Sequence, residues 1–336
     1  MSPTVEIEPA GSLAPIGAHM PSAITTTDLT KHYPGVHALE GLSIDVPQGS
    51  IYGFLGVNGA GKTTALKILA GLTRPTGGTA TVAGVSLASG EAYKRAIGYL
   101  GQEPRFYDWM TARQTLRYVA GFYPWVQDPI ERRIDGALEM TGITAAADRP
   151  TRTFSGGMRQ RLGIAQALIG RPQVLLLDEP ASALDPLGRR DVLDLMEDLR
   201  GEATIFYSTH ILDDVQRVSD HVAILDEGRL VRAAPTHELL ASFTRDRVRV
   251  SLGGATDATA GGLAALTGVE SVQLEARDRD LATFLVQARP GQTDAVQRSV
   301  TAYAVASNLI LVANAPEQAD LEEVFLRLID PKERAA

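Results

Sequence analysis

The sequence predicts an α/β fold: a mostly parallel sheet with helices on both faces, an antiparallel β subdomain and a helical subdomain, followed by a small α+β unit of the ferredoxin-like kind. Three observations predict it. Apolar runs of strand length at 51–55, 174–177 and 204–208 alternate with helical patterns between residues 50 and 220, the order that gives a buried parallel sheet. A glycine-rich loop follows the first run and opens a helix. Past residue 244 the order becomes strand, helix, strand, strand, helix, strand, that of a split βαβ sheet.

Taken along the chain, residues 1–23 are rich in Pro, Gly, Ala and Ser and are expected to be a disordered tail. Glu6 and Glu8 precede any basic residue there, and no long apolar segment follows, so the tail does not read as a secretory leader. Residues 24–50 alternate apolar and polar, with turns at Pro34-Gly35 and Pro47-Gln48-Gly49, which predicts antiparallel strands. Helical patterns cover 61–70, most of 112–145, and 159–169, and a hairpin is expected at 221–231 around Asp226-Glu227-Gly228. The last unit, 244–336, is expected to place strands at 247–252, 269–276, 282–288 and 308–313, with helices at 258–266, 292–305 and 320–329. In the terminal helix Leu321, Val324, Phe325, Leu328 and Ile329 form one apolar stripe, expected to pack onto its own small unit.

Composition narrows the function. A chain of 336 residues is long for one compact core. Its net charge of -8 argues against a general nucleic-acid backbone binder. The absence of cysteine excludes a disulfide framework and cysteine metal sites, and fits a cytosolic location. No stretch approaches the roughly 20 apolar residues of a membrane helix, so any work at a membrane requires another chain to supply the span.

The segment Gly56-Val57-Asn58-Gly59-Ala60-Gly61-Lys62-Thr63-Thr64 matches G-x-x-x-x-G-K-[ST] between a strand and a helix. Its glycines let the backbone curl and aim several N–H groups at one point, where the helix adds the positive end of its dipole. Lys62 is expected to reach the β- and γ-phosphates, Thr63 to ligate Mg²⁺ and Thr64 to bond a phosphate oxygen. Alone, this motif does not choose between kinases, GTPases, motor ATPases and transporters. Asp178-Glu179 directly follow the run 174–177, so they emerge at the carboxyl end of the sheet, where ligands of open α/β folds bind. Asp178 is expected to hold Mg²⁺, through water, and Glu179 to polarise the attacking water.

With Gln102, Phe154-Ser155-Gly156-Gly157-Met158, Ser182-Ala183-Leu184-Asp185 and His210 in that order, the chain resembles the nucleotide-binding domain of ATP-binding cassette proteins, a P-loop NTPase cassette, over about 24–240. The resemblance implies a domain at 24–243, with a helical subdomain at about 103–170. It implies that Tyr33 stacks on adenine, that the loop residues Gly56, Asn58, Gly59, Ala60 and Gly61 join Lys62, Thr63 and Thr64 around ATP, and that Gln102 ligates Mg²⁺ and senses the γ-phosphate. Ser155, Gly156 and Gly157 resemble the segment that binds the γ-phosphate held by the opposite subunit. Asp185 resembles the residue coupling the two sites, and His210 the histidine that orients the water. The implied assembly is a head-to-tail dimer, most simply of two copies, around two ATP. It would act at the cytoplasmic face of the membrane with a separate permease of about six helices per subunit, and with no nucleic acid. Four departures stand out: Phe154 for the usual Leu, Met158 for the usual Gln, Gly101 for a common proline, and Gln114 for a common glutamate.

The ending of the chain resembles that of exporters with type-2 permeases, which move drugs, polyketides, polysaccharides or lipids. Phe106-Tyr107-Asp108-Trp109-Met110 lies where such relatives meet the permease, and reads either as that contact or as a core patch of the helical subdomain. A translation or DNA-repair cassette is the rival reading. Those relatives fuse two cassettes or insert long coiled coils, and neither feature is present. A regulatory module without hydrolysis is opposed by the presence of both Glu179 and His210.

Overall fold

The computed structural model describes residues 21–124, 126–243, 246–317 and 320–329. Most of the expected N-terminal tail lies outside the described residues, but Ser22 and Ala23 already belong to the first strand. Ala23 is buried, and its carbonyl accepts from Ala83 N at 2.7 Å.

In chain order the elements are β1 (Ser22–Tyr33), β2 (Val36–Pro47), β3 (Ile51–Leu55), α1 (Lys62–Leu69), β4 (Gly77–Val82), β5 (Val85–Ser86), α2 (Glu91–Lys94), β6 (Ile97–Leu100), α3 (Ala112–Ala120), α4 (Ile130–Met140) and α5 (Gly156–Leu168). They continue as β7 (Val174–Asp178), α6 (Pro186–Asp198), β8 (Thr204–Thr209), α7 (Leu212–Val218), β9 (His221–Asp226), β10 (Arg229–Pro235) and α8 (Thr236–Phe243). The central sheet has the order β10-β9-β3-β8-β7-β6. All its neighbours are parallel except the β9–β10 hairpin. A second sheet, β2-β1-β4-β5, is antiparallel and covers one face of the first.

Period-two alternation divides the strand side chains between two cores. Tyr52, Phe54, Leu176 and Phe206 join the core under the antiparallel sheet and α1. Ile51, Leu55, Leu175, Leu177, Ile205 and Tyr207 join the opposite core with α6 and α7. Because both faces are covered, these strands read as unbroken apolar runs. A third core, around Leu116, Ile134, Leu138 and Leu162, holds α3, α4 and α5 together. Helix α3 starts with a capping box in which Thr111 Oγ1 accepts from Gln114 N at 3.1 Å and Gln114 Oε1 accepts from Thr111 N at 2.9 Å. The glutamine at 114 thus does locally what a glutamate would. Helix α5 begins three residues earlier than its periodicity predicts, because Ser155 caps it by accepting from Met158 N at 3.2 Å.

The remaining elements are β11 (Arg247–Gly253), α9 (Asp257–Ala264), β12 (Val269–Asp278), β13 (Leu281–Ala288), α10 (Thr293–Ala306), β14 (Ile310–Pro316) and α11 (Leu321–Ile329). The sheet β12-β13-β11-β14 is antiparallel throughout, and α9 and α10 close a fourth core against it. This is the ferredoxin-like order. The expectation for the terminal helix is corrected: α11 packs not on this sheet but on α7, α8 and β10. Leu321 and Val324 are fully buried in the same core as Val215, Val218 and Leu239, and Leu321 N donates to Gln216 Oε1 at 3.0 Å. An amphipathic stripe fixes which face is buried and says nothing of the surface that buries it. Among the described residues no helix is long and apolar enough to cross a membrane.

Leu321→Ala is expected to cost about 2–5 kcal/mol, as for other fully buried leucines. Chemical denaturation of the whole chain checks this. A shift in the unfolding of the central-sheet unit is expected, because that unit holds the helix.

Candidate nucleotide site

The phosphate loop lies between β3, wholly buried, and α1. Two of its glycines are required by close approach. A Cβ on Gly56 would stand 2.5 Å from the Leu225 carbonyl oxygen, and one on Gly61 would stand 2.3 Å from that of Ala38. Gly61 also has φ 105° and caps α1 without a side-chain hydrogen bond, which leaves the first N–H groups of the helix available to an anion. Lys62 is almost wholly buried, donates to the Gly56 carbonyl at 2.7 Å and that of Val57 at 3.2 Å, and lies 3.4 Å from Glu179 Oε1.

The acidic pair is set by strand register. Asp178 is the last residue of β7 and pairs with Ser208 of β8. Ser208 Oγ donates to Asp178 Oδ1 at 2.7 Å, and Thr63 Oγ1 donates to the same oxygen at 3.0 Å. Ser208 Oγ also accepts from Glu179 N at 3.0 Å. Glu179 has a positive φ of 51°, uncommon for a residue with a side chain and frequent where function imposes strain. Its second carboxylate oxygen lies 2.9 Å from His210 Nδ1, just past the end of β8. Tyr99, on β6, is pushed up to about 12 by burial and then by the Asp178 charge, so it keeps its proton beside the acid pair.

These elements enclose a cavity of about 480 Å³ lined by Tyr33, Val36, Ala38, Asn58, Gly59, Gly61, Lys62, Thr63, Thr64, Gln102 and Glu179. Tyr33, at the hairpin tip, is exposed, with Lys31 Nζ 4.8 Å from its ring centre. Backbone N–H groups, an ammonium, hydroxyls and an exposed aromatic face form a cradle for a polyphosphate carrying a planar base. Ser155, Gly156, Gly157 and Asp185 line a different cavity of about 590 Å³. Ser155 caps α5, and Asp185 caps α6 by accepting from Gly188 N at 2.8 Å, so two helix N-termini converge there. Phe154 is buried in the helical core and Met158 packs against it, so the two departures in this segment fill apolar space. Sequence reasoning missed Ser208 and Tyr99. A serine ending an otherwise apolar strand is the one signal that points to the former. Among the residues at 106–110, Phe106 packs on the helical core, while Tyr107 and Trp109 are exposed. Tyr107 lies 5.8 Å from Trp109 and 6.5 Å from Tyr118, which lies 5.3 Å from Phe122, each between ring centres.

Comparison with known proteins decides the family. Residues 39–182 match the ABC transporter family. The bacitracin transport ATP-binding protein BcrA of Bacillus licheniformis is 40% identical over 66% of this chain and 72% of its own length. The daunorubicin resistance ATP-binding protein DrrA3 of Streptomyces coeruleorubidus is 33% identical over 91% of this chain and 96% of its own. The chain is an ABC transporter ATP-binding protein. The structure of CbiO1 from Clostridium perfringens, part of the CbiONQ transporter complex, superposes on the cassette with a TM-score of 0.60 at 29% identity, covering 66% of this chain and 91% of that one. The cassette therefore binds ATP and hydrolyses it to power transport. ABC cassettes act in pairs and with membrane permease components.

Ser208→Ala removes the hydroxyl shared by the Asp178 carboxylate and the Glu179 amide. Steady-state ATPase assays are expected to give a kcat lower by about 10–100-fold, the scale at which orienting partners of metal and catalytic groups act, with KM for ATP changed much less.

Proposed function

We propose that two copies of this chain close head-to-tail on two ATP molecules and drive export through a separate permease. The observation that carries this is the separation of the two cavities. The phosphate loop, Asp178, Glu179 and His210 surround one, while the Ser155-Gly156-Gly157 turn and Asp185 line the other. Each chain then supplies the main cradle for one nucleotide and the closing surface for another. Ser155 Oγ accepts from Met158 N, which leaves its own proton free to donate to a phosphate oxygen, beside the first amides of α5.

In this reading Tyr33 stacks on adenine, and Lys62, Thr64 and the amides of Asn58, Gly59, Ala60 and Gly61 hold the phosphates. Thr63 Oγ1 and Asp178 Oδ1, 3.0 Å apart, together with the Gln102 amide oxygen, form an all-oxygen set suited to Mg²⁺. When bound, Mg²⁺ neutralises phosphate charge. Glu179 accepts the proton of the attacking water, and His210, hydrogen-bonded to the Glu179 carboxylate, orients that carboxylate and faces the γ-phosphate. Phosphoryl transfer depends mainly on such positioning and charge neutralisation. The exposed Tyr107, Trp109, Tyr118 and Phe122 patch is the contact for the permease, of about six membrane helices per subunit, and the chain works at the cytoplasmic face of the membrane. Drug-like or other amphiphilic cargo follows from the likeness to BcrA and DrrA3, whose names record antibiotic transport and resistance.

Glu179→Gln is expected to bind ATP normally, to hydrolyse it about 10²–10⁴-fold more slowly, the share of a general base, and to accumulate as a dimer in size-exclusion chromatography with light scattering. Undiminished turnover removes Glu179 from the role. Ser155→Arg is expected to leave ATP binding by the monomer intact and to abolish that dimer. Retention of the dimer in the Glu179→Gln background would refute the head-to-tail arrangement. Trp109→Ala is expected to lower transport in permease-containing vesicles while sparing ATP binding by the isolated chain.

A further inference from the structure

We propose that the β1–β2 hairpin carries a transition-metal site, formed by His32, His37 and Glu40, that takes a divalent ion of the zinc class. His32 and His37 stand directly opposite each other across the antiparallel pair, and their rings stack with centres 4.1 Å apart. Opposed residues hold their Cβ atoms about 4.5–5.5 Å apart, close enough for one ion to take both imidazoles at about 2.0–2.1 Å. Glu40 follows His37 by three positions, which in an unbroken strand would put the two on opposite faces. The strand is not unbroken. Lys31 pairs with Leu39 and His32 with His37, so Ala38 is an extra residue on β2, and such a bulge re-aims the side chains that follow it. Glu40 Oε1 accordingly lies 2.6 Å from His37 Nδ1. Its other oxygen is held by Arg229, which fixes the carboxylate. One ligand atom from each of the three residues lies within 4.8 Å of the other two. Both histidines are exposed, so rotamer changes at the surface are enough to draw the three donors onto one ion. Two imidazoles and a carboxylate, with water completing the shell, are donors that suit zinc.

The position gives the site a consequence. The next pair on the same hairpin is Tyr33 with Val36, and both line the nucleotide cavity. The bulge residue itself rests on the phosphate loop, its carbonyl oxygen being the atom a Cβ on Gly61 would strike at 2.3 Å. An ion bridging the strands therefore stiffens the hairpin directly behind the Tyr33 ring.

The test uses the whole chain without nucleotide, with Zn²⁺ alone as the probe. Uptake is read by competition with a chromophoric chelator and by imidazole nitrogen NMR. One Zn²⁺ per chain is expected, with the His32 and His37 resonances shifting together. His32→Ala and His37→Ala are each expected to weaken uptake by at least the roughly 10–100-fold that loss of mere supporting partners costs a metal site. Both positions are exposed, and circular dichroism confirms that each variant is folded. Hydrogen exchange over residues 32–40 is expected to slow on adding Zn²⁺ in the parent chain and to stay unchanged in His37→Ala. Uptake equal to the parent in both alanine variants, or imidazole resonances of His32 and His37 that do not move, would overturn the site. Uptake without slowed exchange would overturn the stiffening.

Discussion

Two adjacent carboxylates buried at the carboxyl end of one strand are the constraint around which the cassette is organised. Asp178 is 1% exposed and Glu179 6%. Buried charges are costly unless each is paired and hydrogen-bonded. The partners come from two separated parts of the chain: Thr63 and Lys62 at the start of α1, and Ser208 on β8 with His210 just beyond it. None of them reaches the pair unless β3, β8 and β7 lie side by side in register, as they do. The charge problem and the sheet order are therefore one requirement. The strand order that buries the apolar runs on both faces also delivers the hydroxyls, the ammonium and the imidazole to the carboxylates. Glu179 turns to meet them through a left-handed backbone, and its amide, held by the Ser208 hydroxyl and carbonyl oxygens, keeps it there.

A net charge of -8 would repel a nucleotide at long range, so binding must be local. The chain meets that need with dipoles and one buried ammonium. Helix α1 offers its free amides at the phosphate loop, and α5 offers its first amides at the second cavity. A backbone N–H has little freedom to lose, so donors of this kind are already in place before the anion arrives. The two cavities also rest on different supports. One is set in the central sheet, the other lies between α6, packed in the core over that sheet, and α5, which also enters the third core. Relative movement of these supports can change the second cavity without disturbing the phosphate loop.

Much of this was legible in the sequence, for identifiable reasons. The strands of the parallel sheet show as apolar runs because both their faces are covered. The phosphate loop is legible because its glycines answer to atoms far away in sequence, the carbonyls of Ala38 and Leu225, which no other residue type could approach so closely. What was not legible depends on partners that periodicity does not encode. The α11 stripe gave the buried face but not the surface beneath it. Ser208 reads as an ordinary strand end until register sets it opposite Asp178. The start of α5 was placed late because Gly156 and Gly157 are poor helix formers, and the Ser155 cap outweighs them. The aromatics at 106–110 divide in a way the sequence does not show: Phe106 packs on the helical core, while Tyr107 and Trp109 face solvent.

The docking of α11 changes how the C-terminal sheet relates to the cassette. The chain leaves through α8, which packs on the cassette, and returns through α11, which packs on α7 and α8. Helix α7 starts at Leu212, two residues after His210, and is rooted in the core by Val215 and Val218. Gln216, on that helix, accepts the first N–H of α11. His210, in contact with the Glu179 carboxylate, therefore lies one loop residue from the helix on which α11 docks. The physical path is short and continuous: imidazole, one loop residue, α7, then the Gln216 contact and the buried Leu321 and Val324. The cassette thus holds the elements on both sides of the small sheet in the sequence, α8 before it and α11 after it, and α11 does so through buried apolar side chains packed to interior density.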